Sequence, residues 1–204
     1  MRQIQILHAL CDLYTSKLCG IGFVDPYTQE STIPKSLDIN LARTISHCRL
    51  CPRSKIQNPK IGYINPNAKV IFIVEFAMGD GDVLLDSKSS QMLYNIANNV
   101  FQTQEFSVFS LLKCGTHESN EQERNQCKPY LIRQIQESSA LCVIIFGNVV
   151  LESILGLDPS HKGTLLDVFG KKSVATYAIS ELLRNPTFKK EALKHFMLLQ
   201  KFIK

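Results

Sequence analysis

Short runs of apolar and β-branched residues recur along the chain and contain almost no polar positions. Runs of this kind are typical of strands that are buried on both faces of a parallel sheet. They predict four strands, at residues 70–74, 106–112, 141–146 and 173–177. Helical patterns separate the runs, so the sequence predicts an α/β fold whose parallel sheet is covered by helices on both sides.

The helical patterns have apolar residues at every third or fourth position. An amphipathic first helix is predicted from Ile6, Leu7, Leu10, Leu13 and Tyr14, followed by a loop at 25–34. Further helices are predicted just before Cys48, through residues 93–100, from near Glu121, and after Pro186. Proline is well placed at a helix start, which makes the last helix the clearest of these.

The composition is that of a globular protein with a full core. The chain has 204 residues, of which 45% are hydrophobic, and this length indicates one domain at 45–204 with an N-terminal helical extension at 1–44. No apolar run is long enough to span a bilayer. Seven cysteines without a signal-like start fit a reducing cytoplasm. We expect a cytoplasmic monomer.

Positive charge is concentrated toward the C-terminus. The net charge is +5, and residues 161–204 alone hold nine Lys and Arg residues against three acidic ones. A basic face of this kind suits a polyanionic partner. A solvated, lysine-rich helix would produce the same composition.

Four of the cysteines have the spacing of a metal site. Cys48 and Cys51 form a Cys-x-x-Cys pair, while Cys114 and Cys127 are single cysteines that flank a polar segment. That segment contains no apolar residue against which the thiols could pack. Four thiolates in this arrangement match the ligands of a [4Fe–4S] cluster or of an all-cysteine zinc site.

Several short motifs around these cysteines resemble the iron–sulfur uracil-DNA glycosylases called family 4. They are Cys48-x-x-Cys51, LLKCG at 111–115, CKPYL at 127–131, IIFGN at 144–148 and TYAISELLRNP at 176–186. The resemblance covers residues 45–204. It implies a three-layer α/β/α sandwich with a central four-stranded parallel sheet, a [4Fe–4S] cluster on the four cysteines, and excision of uracil from DNA.

The chain departs from that family where the family recognises uracil. The family's Gly-Glu-Ala-Pro-Gly motif becomes Val74-Glu75-Phe76-Ala77-Met78, which keeps the acid and replaces small neighbours by bulky ones that would fill the base site. Leu85 replaces the phenylalanine that stacks on uracil, Ser110 the asparagine that reads its edge, and Ala178 the histidine that stabilises the departing base.

The family's C-terminal DNA-contacting motif is retained. Leu182, Leu183 and Arg184 match the leucines and arginine that the family presents to the minor groove, where an apolar wedge can enter the base stack. Lys189 and Lys190 follow and would contact phosphates. A helix start with two core leucines would give the same pattern.

The sequence therefore predicts an iron–sulfur member of the superfamily that binds nucleic acid and has lost, or nearly lost, uracil excision. One alternative is an active repair glycosylase for uracil or another damaged base, in which Glu75, Asp80 or Asp82 orients water. The other is a structural or partner-binding protein without enzymatic activity.

Overall fold

The structure is a computed structural model that describes residues 39–116 and 118–203. The described strands are β1 Gly62–Tyr63, β2 Val70–Phe76, β3 Gly79–Gly81, β4 Val83–Leu84, β5 Phe106–Leu112, β6 Cys142–Phe146, β7 Leu165–Val168 and β8 Lys171–Thr176. The described helices are α1 Ile39–Ser46, α2 Arg53–Ile56, α3 Lys88–Asn99, α4 Glu121–Glu137, α5 Asn148–Leu155, α6 Ile179–Arg184 and α7 Pro186–Gln200.

The strands form one mixed sheet in the order β4-β3-β1-β5-β2-β6-β8-β7. The four neighbouring strands β5, β2, β6 and β8 all run parallel, and the short outer strands pair with them or with one another. Helices cover both faces of this sheet. The predicted α/β/α fold class is confirmed, with a larger sheet than predicted.

Alternate side chains of the parallel strands enter two separate cores. Val70, Phe72 and Val74 of β2 pack with α3, α6 and α7. Ile71 and Ile73 point to the other face and pack with α4 and α5. Since both faces of the sheet are covered, the residues of these strands do not alternate between apolar and polar. This explains the continuous apolar runs in the sequence.

Capping side chains define the starts of two of the longer helices. The Asn120 side chain accepts from the Glu123 backbone N–H at 2.8 Å, and the Glu123 carboxylate accepts from the Asn120 N–H at 3.2 Å, which completes a capping box for α4. Asn185 caps α7 just before Pro186. Both helix starts lie where the sequence pattern predicted them.

Several predictions fall on residues outside the described part of the chain, namely the first helix at 6–14 and the loop at 25–34. The predicted domain boundary between residues 44 and 45 falls within α1. The short strands β1, β3 and β4 were not predicted, because two or three residues carry no periodicity. Within residues 39–116 and 118–203, no helix is both long and apolar enough to cross a membrane.

Acid is expected to destabilise the protein through His195, which is buried in α7. Burial lowers the pKa of its imidazole below the usual 6.5, and its Nδ1 lies 3.1 Å from the Thr176 hydroxyl. Because the folded-state pKa lies below the unfolded one, the unfolded chain binds more protons. Stability is therefore lost as the pH falls from about 6.5 through the folded-state pKa, at up to about 1.4 kcal/mol per pH unit.

Urea unfolding between about pH 7.5 and 5.5 measures this loss. His195→Gln should lower the overall stability and make its decline with falling pH shallower than in the unsubstituted protein. His161→Gln, at a histidine whose side chain is 41% accessible, is the control for removal of an imidazole outside the core. Identical pH profiles for His195→Gln and the unsubstituted protein would contradict the prediction.

Candidate functional site

A cleft opens at the carboxyl ends of the parallel strands. After β2 the chain crosses to β5 on one side, whereas after β6 it crosses to β8 on the other, and open α/β sheets bind ligands where the connections diverge in this way. The cleft has a volume of about 790 Å³. Its lining comes from residues 74–78, 85–87, 89, 116, 146–150 and 178–181.

Four of the predicted pocket positions come together in this cleft although they are far apart in the sequence. They are Val74, Phe76, Leu85 and Ala178. Glu75 lines the same cleft, half-buried at the end of β2. That Val74 and Phe76 fill the base site stays a prediction. Both line the cleft; Val74 also packs into the core, and the Arg53 guanidinium lies 6.0 Å from the centroid of the Phe76 ring.

Ser110 is not among the residues that line the cleft. Its side chain is 1% exposed, and its hydroxyl has no hydrogen-bond partner among the described residues. Ser110 lies beside Val74 on the neighbouring strand. The fifth pocket position is therefore close to the cleft and sealed from it.

The residue that follows β6 lies close to Ala178, which follows β8. Gly147, the residue just before α5, has φ of +95°, and a Cβ atom there would lie 3.2 Å from the Ala178 Cβ. Only glycine adopts such a conformation readily. Gly147 therefore permits the turn that brings the end of β6 to the cleft wall.

The charged residues of the described lining are all acidic: Glu75, Asp86 and Glu181. The Glu181 carboxylate already accepts from the Ala178 N–H at 2.7 Å and caps α6. No lysine, arginine or histidine belongs to the described lining. The cleft thus offers acceptors and hydroxyl groups, and its described side chains provide no cationic donor for an anionic leaving group.

Glu75 is connected to the segment between the two single cysteines. The Ser119 hydroxyl donates to the Glu75 carboxylate at 3.4 Å. Arg124 in turn donates to the Ser119 carbonyl at 2.8 Å and to its hydroxyl at 3.2 Å. This chain of contacts fixes the candidate catalytic acid to the start of α4. Asp80 and Asp82, in contrast, are not part of the cleft lining.

The four predicted ligand cysteines are neighbours in space. Cys48 and Cys51 lie between α1 and α2, Cys114 follows β5, and Cys127 lies within α4. Burial, together with negative charge on Cys127, Cys51 and Cys48, raises the pKa of the Cys114 thiol to about 12. Electrostatic interaction of this kind requires the other three thiols to lie near Cys114.

Two cationic side chains are buried next to these thiols. Lys113 donates to the Ser110 carbonyl at 2.8 Å and to the Gln134 side chain, and burial lowers its pKa to about 8 although thiolates at Cys127 and Cys114 would raise it. The Arg53 side chain, 4% exposed, donates to the Cys114 carbonyl at 2.9 Å. Both cations can offset negative charge on the cysteine sulfurs.

Among residues 39–116 and 118–203, no three His, Cys, Asp or Glu side chains are arranged as the ligands of a metal ion. The thiols are therefore close together without converging on a single point. The four ligands stay a prediction. Their proximity is a property of the fold, because the sequence separates Cys51 from Cys114 by an entire βαβ crossover.

The predicted DNA-contacting residues divide into buried and exposed ones. Leu182 is 2% exposed and packs in the core, so it cannot enter a base stack without leaving that core. The expected wedge of two leucines is reduced to Leu183, which is 37% exposed. Arg184, Lys189 and Lys190 are exposed on α6 and α7, as phosphate contacts require.

Sequence reasoning missed the residues that support the site. Lys113 carried a signal, since a lysine at the end of an apolar strand must be either buried with partners or turned outward. No sequence signal points to Arg53, Ser119 or Arg124, because each acts through a partner that is distant in the sequence or specific to one loop.

Comparison with protein families identifies this arrangement. Residues 61–198 match the family described as the Uracil DNA glycosylase superfamily. No curated protein matches the chain. The match spans the parallel sheet, the cleft and the last two helices, and it describes the superfamily as a whole, so the closer resemblance to family 4 stays a prediction.

Proposed function

Because this chain belongs to the uracil-DNA glycosylase superfamily, we propose that it is a DNA-binding, iron–sulfur member in which uracil excision is lost or strongly reduced. Membership supports a DNA glycosylase-like function and DNA as the partner. The proposal that uracil excision is lost or reduced rests on the replacement of cationic and aromatic groups in the cleft. Ala178 and Leu85 stand where the resemblance places a histidine and a stacking phenylalanine.

The reasoning for reduced excision concerns charge at the leaving base. Uracil departs from the sugar as an anion, and a donor aimed at its oxygen lowers the energy of the transition state. Ala178 has no such donor. The nearby carboxylate of Glu181 would repel the developing negative charge. Glu75 remains able to orient a water molecule, but this role alone does not compensate for the missing donor.

For the cluster, we propose Cys48, Cys51, Cys114 and Cys127 as the ligands. Each thiolate of a [4Fe–4S] cluster binds a different iron atom, so the four ligands need to surround a space and need not converge on one point. The mutual proximity of the thiols supports this ligand set. Lys113 and Arg53, the latter also paired with Glu123 at 3.3 Å, support the proposal because they would offset part of the charge of four thiolates. Such a cluster supplies covalent cross-links between loops and the capacity for one-electron transfer.

DNA binding is expected to be mainly electrostatic and to depend on Lys189 and Lys190. Replacing both by glutamine should weaken binding at low salt and reduce the slope of log affinity against log salt by about two phosphate contacts. Fluorescence anisotropy with a labelled duplex at several salt concentrations measures both quantities.

The control removes two lysines at the amino ends of two parallel strands. Lys69→Gln with Lys172→Gln does so, since Lys69 precedes β2 and Lys172 lies at the start of β8. This variant should retain the original slope. Equal slopes for the Lys189/Lys190 variant and the unsubstituted protein would place the DNA surface elsewhere, and no binding at low salt would contradict DNA as the partner.

A second candidate function is excision of another damaged base. The observation that favours it is the open cleft of about 790 Å³, lined by Glu75. Oligonucleotides that contain hypoxanthine or oxidised bases test this function by release of the free base. Release that Glu75→Gln abolishes would establish it, while DNA binding without any base release would leave the first proposal in place.

A further inference from the structure

A second groove lies between α3 and α7, on the outer face of the helical layer. Its volume is about 580 Å³. The floor is apolar and comprises Met92, Ile96, Val100, Leu182, Ala192 and Phe196. Leu183 and Leu193 also line it and are 37% and 45% exposed. Exposed apolar side chains around an apolar groove are the usual mark of a protein-binding surface.

The two helices that form this groove run in the same direction. Gln200, at the end of α7, donates to the Val100 carbonyl just beyond α3 at 3.1 Å. At the other end, Lys88 begins α3 and Lys189 lies in the first turn of α7, and both line the groove. The positive ends of both helix dipoles therefore coincide with two lysines.

The groove is consequently positive at one end and uncharged along the rest of its length. Lys88 and Lys189 form no ion pair with any described residue, and no carboxylate belongs to the lining. The other polar lining residues are the amides Gln91, Asn95 and Asn99. An occupant needs an apolar face for the floor and negative charge at one end only.

We propose that this groove binds an amphipathic helix of a partner protein, with acidic residues in the last turn of that helix. The α3 wall is about 18 Å long at 1.5 Å per residue, which matches about three turns of a docked helix. Apolar residues at every third or fourth position would cover the floor. The negative end of the partner's own dipole would meet the lysines, so the partner helix runs antiparallel to α3 and α7.

The composition of the groove argues against nucleic acid as the occupant. Phe196 is the only aromatic residue in the described lining, and it is 3% exposed, so the groove offers no platform on which bases could stack. Its cations are confined to one end and do not follow a phosphate backbone. The proposal does not depend on the function proposed for the cleft.

Three fluorescein-labelled helical peptides of about twelve residues test the orientation as well as the binding. All carry the same apolar face. The first has glutamates in its last turn, the second has them in its first turn, and the third has lysines in its last turn. The first should bind the full-length protein most tightly, with dissociation constants about fivefold and tenfold higher for the second and third.

The peptides' own helix stability acts in the opposite direction. Glutamates in the first turn stabilise an isolated helix, so the second peptide is the better helix in solution. Tighter binding of the first peptide therefore reports the polarity of the groove. Equal binding of all three peptides, or no saturable binding up to about 1 mM, would overturn the proposal.

Matched variants locate the site. Leu193→Glu should weaken binding of the first peptide at least about tenfold, because a charge would replace an apolar contact. Met197→Glu is the control: Met197 is 58% exposed on the same helix and does not line the groove. Lys88→Glu leaves Lys189 opposite one new carboxylate and should therefore abolish the preference between the first and third peptides. Thermal unfolding verifies that each variant is folded.

Measurements with a short DNA duplex test whether the groove binds nucleic acid instead of a helix. Lys189 also belongs to the proposed phosphate contacts, so DNA can compete for the charged end of the groove and the apolar floor carries the test. The neutral variant Leu193→Ala should weaken binding of the first peptide and leave DNA affinity unchanged. Weakened DNA binding by Leu193→Ala would assign the groove to the nucleic-acid surface and overturn the proposal.

Discussion

Uracil release from DNA is expected to be undetectable, or at least about a thousandfold slower than in a superfamily enzyme with the complete set of pocket groups. One missing oxyanion donor costs about 10²–10³ in rate, and the lost stacking interaction contributes a further 1–3 kcal/mol or so. Each 1.36 kcal/mol is about tenfold. Release of labelled uracil from single-stranded and duplex substrates, at enzyme concentrations above that of substrate, measures the rate.

A restoration experiment makes the prediction sharper. Ala178→His with Leu85→Phe returns the two groups to positions that line the cleft, and should raise uracil release by about tenfold or more. Ala178→Gln with Leu85→Met is the matched control for side-chain size. Ser110 is left unchanged, because its buried site has no room for an amide without displacing the core. Rapid uracil release by the unsubstituted protein, abolished by Glu75→Gln, would contradict the prediction.

Loss of a cluster cysteine is expected to have the second largest effect. Protein purified without oxygen should be brown and contain about four iron atoms per chain. Cys114→Ala should lower the iron content to less than about one atom per chain and lower the thermal unfolding midpoint. We expect metal binding and folding to be coupled, because a cluster on the four cysteines would join the end of β5 to α4 and to the turn after α1.

Cys142→Ala is the control for removal of a buried sulfur. Cys142 is fully buried in β6 among apolar residues, and burial alone raises the pKa of its thiol to about 11. This variant should lose some stability through packing and keep its iron. A colourless, folded protein with one zinc would contradict the cluster, and a Cys114→Ala variant that retains all its iron would remove Cys114 from the ligand set.

The sequence alone determined the central sheet and most of the longer helices. The run from Phe106 to Leu112 is a strand with those bounds, α4 begins at Glu121 as its apolar pattern predicted, and α7 begins at the predicted Pro186. These features are local, because strand burial, capping and proline geometry act over a few neighbouring residues. The helix α5 was missed, because its apolar residues follow β6 directly and only Gly147 separates the two.

The candidate cleft could be predicted only as a set of positions. The resemblance to family 4 named Glu75, Phe76, Leu85 and Ala178, and the fold brings all four to one cleft. The resemblance could not show that Ser110 would be sealed from that cleft, since the neighbouring strand and helix decide what each side chain faces. The contact of Ser119 with Glu75 likewise requires the loop before α4 to cross the end of β2.

Tertiary structure alone decided which of two adjacent leucines reaches the surface, and which helices share a groove. Leu182 and Leu183 have the same chemistry, yet Leu182 is 2% exposed and Leu183 is 37% exposed, because α6 turns one of them toward the sheet. Lys88 and Lys189 are about a hundred residues apart in the sequence, and they line one groove only because α3 and α7 pack in parallel. Periodicity records which residues avoid water, whereas their neighbours depend on how distant segments pack together.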